Sequence, residues 1–217
     1  DVIYCGNNVE VLSGFPDACI DLTVTSPPYD NLRQYNGYVF DFEAIAAQLY
    51  RVTKRGGAVV WVVGDETKDG SESGTSFRQA LYFMSLGFNL HDTMIYEVSG
   101  TGAKGSNLSY WQTFEYMFVF TRGRITTVNR IADKAGRWAG TKSWGFGRTD
   151  DRGQRSAKQH VNSDISIRGN VWTYNVGFLH TTMDNYAFDH PAIFPEALAR
   201  DHILSWSNLN DIILDPM

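Results

Sequence analysis

The sequence predicts an α/β domain built on a mostly parallel sheet with helices on both faces. Three observations point there. Short β-branched, apolar runs alternate with amphipathic stretches of helical length, the pattern of βαβ units. The run "AVVWVV" at 58–63 is apolar throughout, as in a strand covered on both sides. The chain has 217 residues, of which 43% are apolar, enough for one domain of this class and a small insertion.

The elements follow in order. Val2–Cys5 reads as a short strand, and "GNNVEVLSGFPD" as a helix broken by Gly14 and Pro16. "CIDLTV" is a strand, and 30–40, "DNLRQYNGYVF", a polar, aromatic loop. In "DFEAIAAQLYRVTKRGG", Phe42, Ile45, Leu49 and Val52 recur at helical spacing, and Gly56 supplies a stop. "SGTSFRQALYFMSLGF" is a helix with Thr75 or Ser76 as its cap. "LHDTMIYEV" and "FEYMFVFT" are strands joined by a Gly/Ser-rich loop. Periodicity then fails over 122–170, which reads as an insertion. "NVWTYNV" restores a strand, "HPAIFPEALARDHILSWS" is a helix entered through Pro195, and "DIILDPM" is a strand ending in Asp-Pro. The expected organisation is a catalytic core over 1–121, an inserted segment over 122–170, and a return to the core over 171–217.

Composition narrows the function. No apolar run is long enough to cross a membrane, and Asp1–Tyr4 reads as a strand rather than a leader. The two cysteines, Cys5 and Cys19, have no CxxC spacing. That argues against a disulfide framework or a zinc site and fits a reducing cytoplasm, with both as packing residues. Net charge is −5, yet 122–168 holds 11 Lys+Arg against four Asp+Glu, a balance of +7. A basic island on an acidic body suits a polyanion held at one place, although a solvated basic loop has the same composition.

The segment that carries chemistry is Thr25-Ser26-Pro27-Pro28-Tyr29. Prolines cannot donate to a ladder, so they end the strand that precedes them. A loop past the carboxyl end of a parallel strand is where such folds hold ligands. A hydroxyl, a proline carbonyl and a flat ring suit a planar heterocycle bearing an amino group. The amine's lone pair is delocalised into its ring. Two acceptors on its protons favour a tetrahedral nitrogen and free that pair.

TSPPY resembles the amino-group motif of DNA methyltransferases that modify N4 of cytosine or N6 of adenine with S-adenosylmethionine. The other matches run in the order of the β-type permutation. "FPDACIDLTVTSPPYDNLRQYNGY" is similar to the family's opening segment and "RVTKRGGAVVWVVGD" to the helix and strand after it. "HPAIFPEALARDHI" is similar to the segment before the cofactor strand, and "DIILDPM" to the start of the cofactor motif. The resemblance implies a Rossmann-like class I methyltransferase fold with circularly permuted motif order. The family's glycine-rich turn and ribose-binding acid would follow Met217, so the C-terminal part is expected to be missing from this chain.

The resemblance also assigns roles. Ser26 and Pro27 accept from the amine, Pro28 stiffens the turn and Tyr29 stacks on the base. Ser26, His190, Phe194, Asp215, Pro216 and Met217 lie by the cofactor, with Pro191 in the same segment as His190. Asn7 is placed by the cofactor too, where the family commonly has an aspartate. Asp215 and His190 have the competing reading of capping residues. On the loop after TSPPY, Arg33, Tyr35 and Tyr38 are candidates for the nucleic-acid backbone. In the basic island, where β-type enzymes carry target recognition, the candidates are Arg122, Arg124, Arg137, Lys142, Arg148, Arg152, Arg155 and Lys158. Trp61 is expected in the core and Asp65 as a solvated turn acid. No metal is expected. The expected activity is site-specific methylation of an exocyclic amine on a flipped base of double-stranded DNA, Ser26 leaning toward N4 of cytosine. Rival readings are an RNA or protein-glutamine amine methyltransferase and a catalytically incomplete DNA-binding remnant. The expected location is the cytoplasm, with no membrane partner and a homodimer left open.

Overall fold

The structure, a computed structural model, describes residues 2–28, 30, 40–99, 107, 109–149, 155–176, 181–184, 187, 193 and 195–217, with the backbone alone over 146–149 and 155–157. Its contacts divide the chain into two units, Asp1–Asn129 with Asn170–Met217, and Arg130–Gly169.

In the first unit, α1 spans Asn8–Ser13. Asn7 caps it, its side-chain oxygen accepting from the N–H groups of Val9 and Glu10 at 3.0 and 3.2 Å. Strand β1, Ile20–Thr25, is buried along nearly its whole length. Helix α2, Phe42–Val52, is capped by Asp41 and turns Ile45, Ala46, Leu49 and Val52 inward. The stop expected at Gly56 comes earlier. Thr53 is already extended, its hydroxyl donating to the Leu49 carbonyl at 2.6 Å, and strand β2 runs Thr53–Val63 without a loop. Gly56 lies inside β2 at φ 86°, where a Cβ would come within 2.4 Å of the Thr126 side chain, so glycine is required there.

A small hairpin follows, β3 Thr67–Lys68 and β4 Ser71–Glu72. It turns on Asp69 and Gly70, both at positive φ as a tight two-residue hairpin demands. Helix α3 is Thr75–Ser85. The cap expected from Thr75 or Ser76 comes instead from Asp65 and Ser73, which accept from the N–H groups of Ser76 and Thr75. Strands β5, Asn89–Ser99, and β6, Phe114–Thr121, complete the middle of the sheet.

The second unit contains β7 Ala132–Ala135, β8 Lys142–Thr149, β9 Arg155–Val161 and β10 Ile165–Ile167. Strand β8 pairs with β9 and β7 with β10, both antiparallel. The segment expected to have little regularity thus carries two strand pairs. Back in the first unit come β11 Val171–Asn175, α4 Glu196–Trp206 entered through Pro195, and β12 Ile213–Leu214.

The main sheet has the order β11-β5-β6-β2-β1-β12. Pairs β11·β5, β2·β1 and β1·β12 are parallel, whereas β6 runs against both its neighbours. Val2–Cys5, expected as a strand, has no regular structure. Val2 and Ile3 are 75% and 95% exposed, and no described strand offers them an edge.

Helices cover both faces. On one, residues of α1, α2 and α3 pack with Val59, Trp61, Val63, Phe118 and Phe120. Phe83 stacks on Phe120 at 4.7 Å and meets Trp61 edge-on at 5.0 Å. Each such buried side chain contributes about 1.5–3 kcal/mol. Trp61 is core, as expected, and its indole N–H donates to Gln79 Oε1 at 2.8 Å. On the other face α4 buries His202, whose ring lies 4.7 Å from that of Trp172. His202 Nδ1 accepts from the Trp206 indole at 3.1 Å, leaving the Nε2 proton toward Met117 Sδ. Burial pushes its pKa down to about 3, the charge of Asp201 opposing this, so the imidazole is neutral.

Candidate active site at the carboxyl ends of β1 and β12

Parallel pairing lays the ends of β1 and β12 side by side, with Leu22 opposite Ile213 and Thr23 opposite Leu214. The register brings TSPPY and the Asp-Pro-Met segment together, although 190 residues separate them. Thr25, wholly buried, donates its hydroxyl to Asp215 Oδ1 at 2.8 Å. The same oxygen accepts from the Met217 N–H at 3.2 Å. From the start of α1, the Asn8 amide donates to the Pro216 carbonyl at 3.2 Å. Loss of water around the Asp215 carboxyl raises its pKa, against the lowering effect of these two bonds, although the residue as a whole keeps exposed surface. Asn7–Asn8, Thr25 and Asp215–Met217 therefore form one corner of the first unit.

Past Thr25 the chain leaves the sheet. Pro27 is buried, and Ser26 and Pro28 are half-buried. Among the described residues, none hydrogen-bonds the Ser26 hydroxyl. Two neighbouring hydroxyls thus differ: Thr25 is tied to Asp215, and Ser26 has no hydrogen-bond partner among the described residues. Tyr29 lies outside the described residues.

The turn is held again at Asp30, the first residue of the loop expected over 30–40. Asp30 Oδ2 accepts from the Glu66 N–H at 2.9 Å and from the Ser73 hydroxyl at 2.6 Å, and Oδ1 accepts from the Thr75 hydroxyl. Burial alone would raise the Asp30 carboxyl. The bonds from Ser73, Thr75 and Glu66, with the charge of Arg78, outweigh it and hold the pKa below the usual range. Asp65 is not the solvated acid expected. It accepts from the Ser76 N–H at 2.9 Å, from the Ser76 hydroxyl, and from Ser73 Oγ at 3.0 Å.

The other candidates are placed as follows. Asn7 serves as the α1 cap. Arg122 donates to the Arg51 and Thr53 carbonyls at 3.1 and 2.7 Å and lies 4.8 Å over the Tyr50 ring, so it secures the end of α2. Arg124 is exposed. In the second unit, Arg137, Lys142 and Lys158 are exposed, and the Arg137 guanidinium sits 5.6 Å over Trp138. Trp138 and Trp144 are 64% and 62% exposed. Arg148 lies on β8 and Arg155 on β9. Arg33, Tyr35, Tyr38, Arg152, His190, Pro191 and Phe194 lie outside the described residues. Cys5, expected as packing, is exposed, and Cys19 is partly buried. Among the described residues no helix is long and apolar enough to cross a membrane, and no three His, Cys, Asp or Glu side chains gather as metal ligands.

Comparison with known proteins places these features in a family. Residues 20–217 match the family model N6_N4_Mtase, described as DNA methylase. The orphan methyltransferase M.BamHII of Bacillus amyloliquefaciens is 55% identical over 203 residues, covering 92% of this chain and 76% of that protein. The type II methyltransferase M.BglII of Bacillus subtilis is 26% identical, covering 99% of this chain and 58% of that protein. Among solved structures, PvuII DNA methyltransferase (cytosine-N4-specific) superimposes with a TM-score of 0.66 at 17% identity, over 97% of this chain and 71% of that one. The complex of M1.HpyAVI with SAM gives a TM-score of 0.55 at 14% identity, over 99% and 79%. At these identities the structural likenesses establish the class I methyltransferase fold.

Proposed function

Because the chain belongs to the DNA methylase family, we propose that it methylates an exocyclic amine of double-stranded DNA at a specific site. N4 of cytosine is favoured over N6 of adenine, and the base is turned out of the duplex to reach TSPPY. The observation that carries this reading is the pair of hydroxyls at the end of β1. Thr25 ties the motif to Asp215, while no described residue engages Ser26. Ser26 as the motif's first residue supports the lean toward cytosine.

The cofactor implied is S-adenosylmethionine, which supplies a methyl group on a positively charged sulfonium. The corner beside TSPPY has the chemistry for it. Asp215 offers a carboxylate, Asn7 and Asn8 offer side-chain amides, and Pro216 and Met217 offer backbone and apolar contact. Residues 190–194 are assigned to the same site through His190 and Phe194. The protein's task in transfer is to prepare the amine. Ser26 Oγ and the Pro27 carbonyl would accept hydrogen bonds from its two N–H groups, which favours a tetrahedral nitrogen and directs its lone pair at the methyl group; the cationic nitrogen left after transfer releases one of those protons to water. Tyr29 holds the base plane by stacking. Asp215 keeps its place through Thr25 and the Met217 N–H. The exposed Arg124, Arg137, Lys142 and Lys158, with Arg148, Arg152 and Arg155, are assigned to phosphates and base edges. Arg33 and Tyr35 are assigned to the backbone near the flipped base.

The reading has two lesser parts. One is a cytoplasmic setting, which the free thiols of Cys5 and Cys19 suit. The other is pairing with a second copy of the chain, which sedimentation of the full-length protein measures. The central test is incubation of full-length protein with S-adenosylmethionine and an unmethylated plasmid, followed by sequencing that detects modified bases. N4-methylcytosine at one recurring sequence is expected. N6-methyladenine would correct the base, and an unmodified plasmid would overturn the reading.

A further inference from the structure

Asp30 stands in the left-handed region, at φ 52°. That conformation costs an ordinary side chain about 1 kcal/mol, and Asp tolerates it better than most. Three donors hold it there. They come from Glu66 beyond the end of β2, from Ser73 in the loop before α3, and from Thr75 at the first turn of α3. Arg78 braces two of these residues, donating to the Ser73 carbonyl at 2.7 Å and to Thr75 Oγ1 at 2.9 Å. Ser73 Oγ has one hydrogen within reach of two carboxylates, and Asp30 at 2.6 Å is nearer than Asp65 at 3.0 Å.

This arrangement exceeds what α3 needs. Asp65 already caps that helix through the N–H and hydroxyl of Ser76. Asp30 belongs to no strand or helix and fills no part of the aromatic core. What its three bonds fix is the far end of the turn that begins at Thr25. At the near end, Thr25 is anchored to Asp215. Only residues 26–29 lie between the two anchors, and two of them are prolines with restricted φ. Between two such anchors, so short a segment with two prolines leaves Ser26, Pro27 and Pro28 little freedom to shift.

We infer that Asp30 is a positioning residue for methyl transfer: clamped by Ser73, Thr75 and the Glu66 N–H, it sets where the Ser26 hydroxyl and the Pro27 carbonyl stand. It acts through the turn and touches neither the base nor the cofactor. This rests on the reading of TSPPY as the amine-binding turn. Misplacement of reacting groups by about 1 Å costs on the order of a hundredfold in rate, so the clamp should govern turnover and leave binding nearly untouched.

The test uses full-length protein with Asp30→Asn, Thr75→Val and Thr75→Ser. Asn keeps the shape and the tolerance of positive φ, but turns an N–H₂ toward donors. Val removes the hydroxyl, and Ser restores it. Single-turnover methylation of a plasmid should fall about 10- to 100-fold in Asp30→Asn and Thr75→Val, with the Kd for S-adenosylmethionine and for DNA within about twofold. Thr75→Ser should recover most of the rate. Amide hydrogen exchange in peptides spanning 20–30 should quicken in the first two variants, while α2 and β2 stay protected. Unchanged rates, equal losses in rate and both affinities, or failure of Thr75→Ser to recover would each overturn the inference. If wild-type protein leaves the plasmid unmodified, the functional reading falls by itself. Hydrogen exchange then decides the clamp alone, and unaltered exchange at 20–30 refutes it.

Discussion

Replacing Ser26 by alanine should separate chemistry from binding. The side chain is half-buried, and its hydroxyl has no partner among the described residues. Removing it therefore leaves no buried donor or acceptor orphaned within them, and unfolding free energy should stay within about 0.5 kcal/mol of wild type. In the reaction, the amine nitrogen gains positive charge as it takes the methyl group, and a hydrogen bond it donates to Ser26 strengthens. Hydrogen bonds to charged groups contribute about 1.5–3 kcal/mol. At about 1.36 kcal/mol per factor of ten, the single-turnover rate should fall roughly 10- to 150-fold. DNA affinity comes mostly from phosphate contacts, so the Kd should move by no more than about twofold. Transfer of a tritiated methyl group under single-turnover conditions gives the rate. Fluorescence anisotropy of a labelled duplex at fixed salt gives the affinity. A variant that loses rate and affinity equally, or keeps its full rate, refutes the role given to the hydroxyl.

Three further outcomes follow from particular contacts. Thr25→Val keeps the shape of the buried side chain and leaves the Asp215 carboxylate with the Met217 N–H alone. Calorimetry should show S-adenosylmethionine binding weakened about tenfold, and unchanged affinity would disconnect Asp215 from the cofactor. The double variant Lys142→Glu, Lys158→Glu should reduce the slope of log K against log salt for DNA by about two; an unaltered slope removes β8 and β9 from the DNA surface. His202, with its folded pKa lowered to about 3 from 6.5, refuses a proton that the unfolded chain accepts. Its contribution to stability is full above pH 6.5 and is lost as pH falls toward 3, at up to about 1.4 kcal/mol per pH unit. Urea unfolding from pH 7 to 5 should lose about 2 kcal/mol more in wild type than in His202→Gln, and parallel curves would show that His202 does not control it.

Patterns written in local sequence proved readable. The apolar spacing of Phe42, Ile45, Leu49 and Val52 marks α2, and "AVVWVV" lies fully buried in β2. The direction of β6 was harder to see. Yet the sequence between β5 and β6 is Gly/Ser-rich and has no helical periodicity, and strands joined without a crossover pair antiparallel, as β5 and β6 do. Strands β7 and β10 gave no signal because they are exposed on both faces. With no buried side, they have no alternation of apolar and polar residues to read. Val2–Cys5 has strand-like composition but no described partner, and strand propensity depends on a neighbour. Arg122 shows the limit of charge counting. Three bonding and ring contacts at the end of α2 account for a residue that composition had grouped with the basic island.

The site divides along the same line. Pro27 and Pro28 stiffen the turn from within, because each loses little backbone freedom on folding, an effect worth about 0.4–1 kcal/mol per residue that any reader of "SPP" can infer. Stiffness alone does not say where the turn points. That is settled by the bonds at its two ends, Thr25 to Asp215 across 190 residues and Asp30 to Ser73 and Thr75 across 43 and 45. Neither partner can be found by looking along the motif. The bland-looking aspartate after the tyrosine therefore has the position of the turn resting on it, and the conspicuous residues between the anchors do not. An enzyme that must hold an amine within hydrogen-bonding reach of Ser26 and Pro27 needs both kinds of constraint. Rigidity without the anchors would present a stiff turn in the wrong place, and anchors without the prolines would leave residues 26–29 free to move between fixed ends.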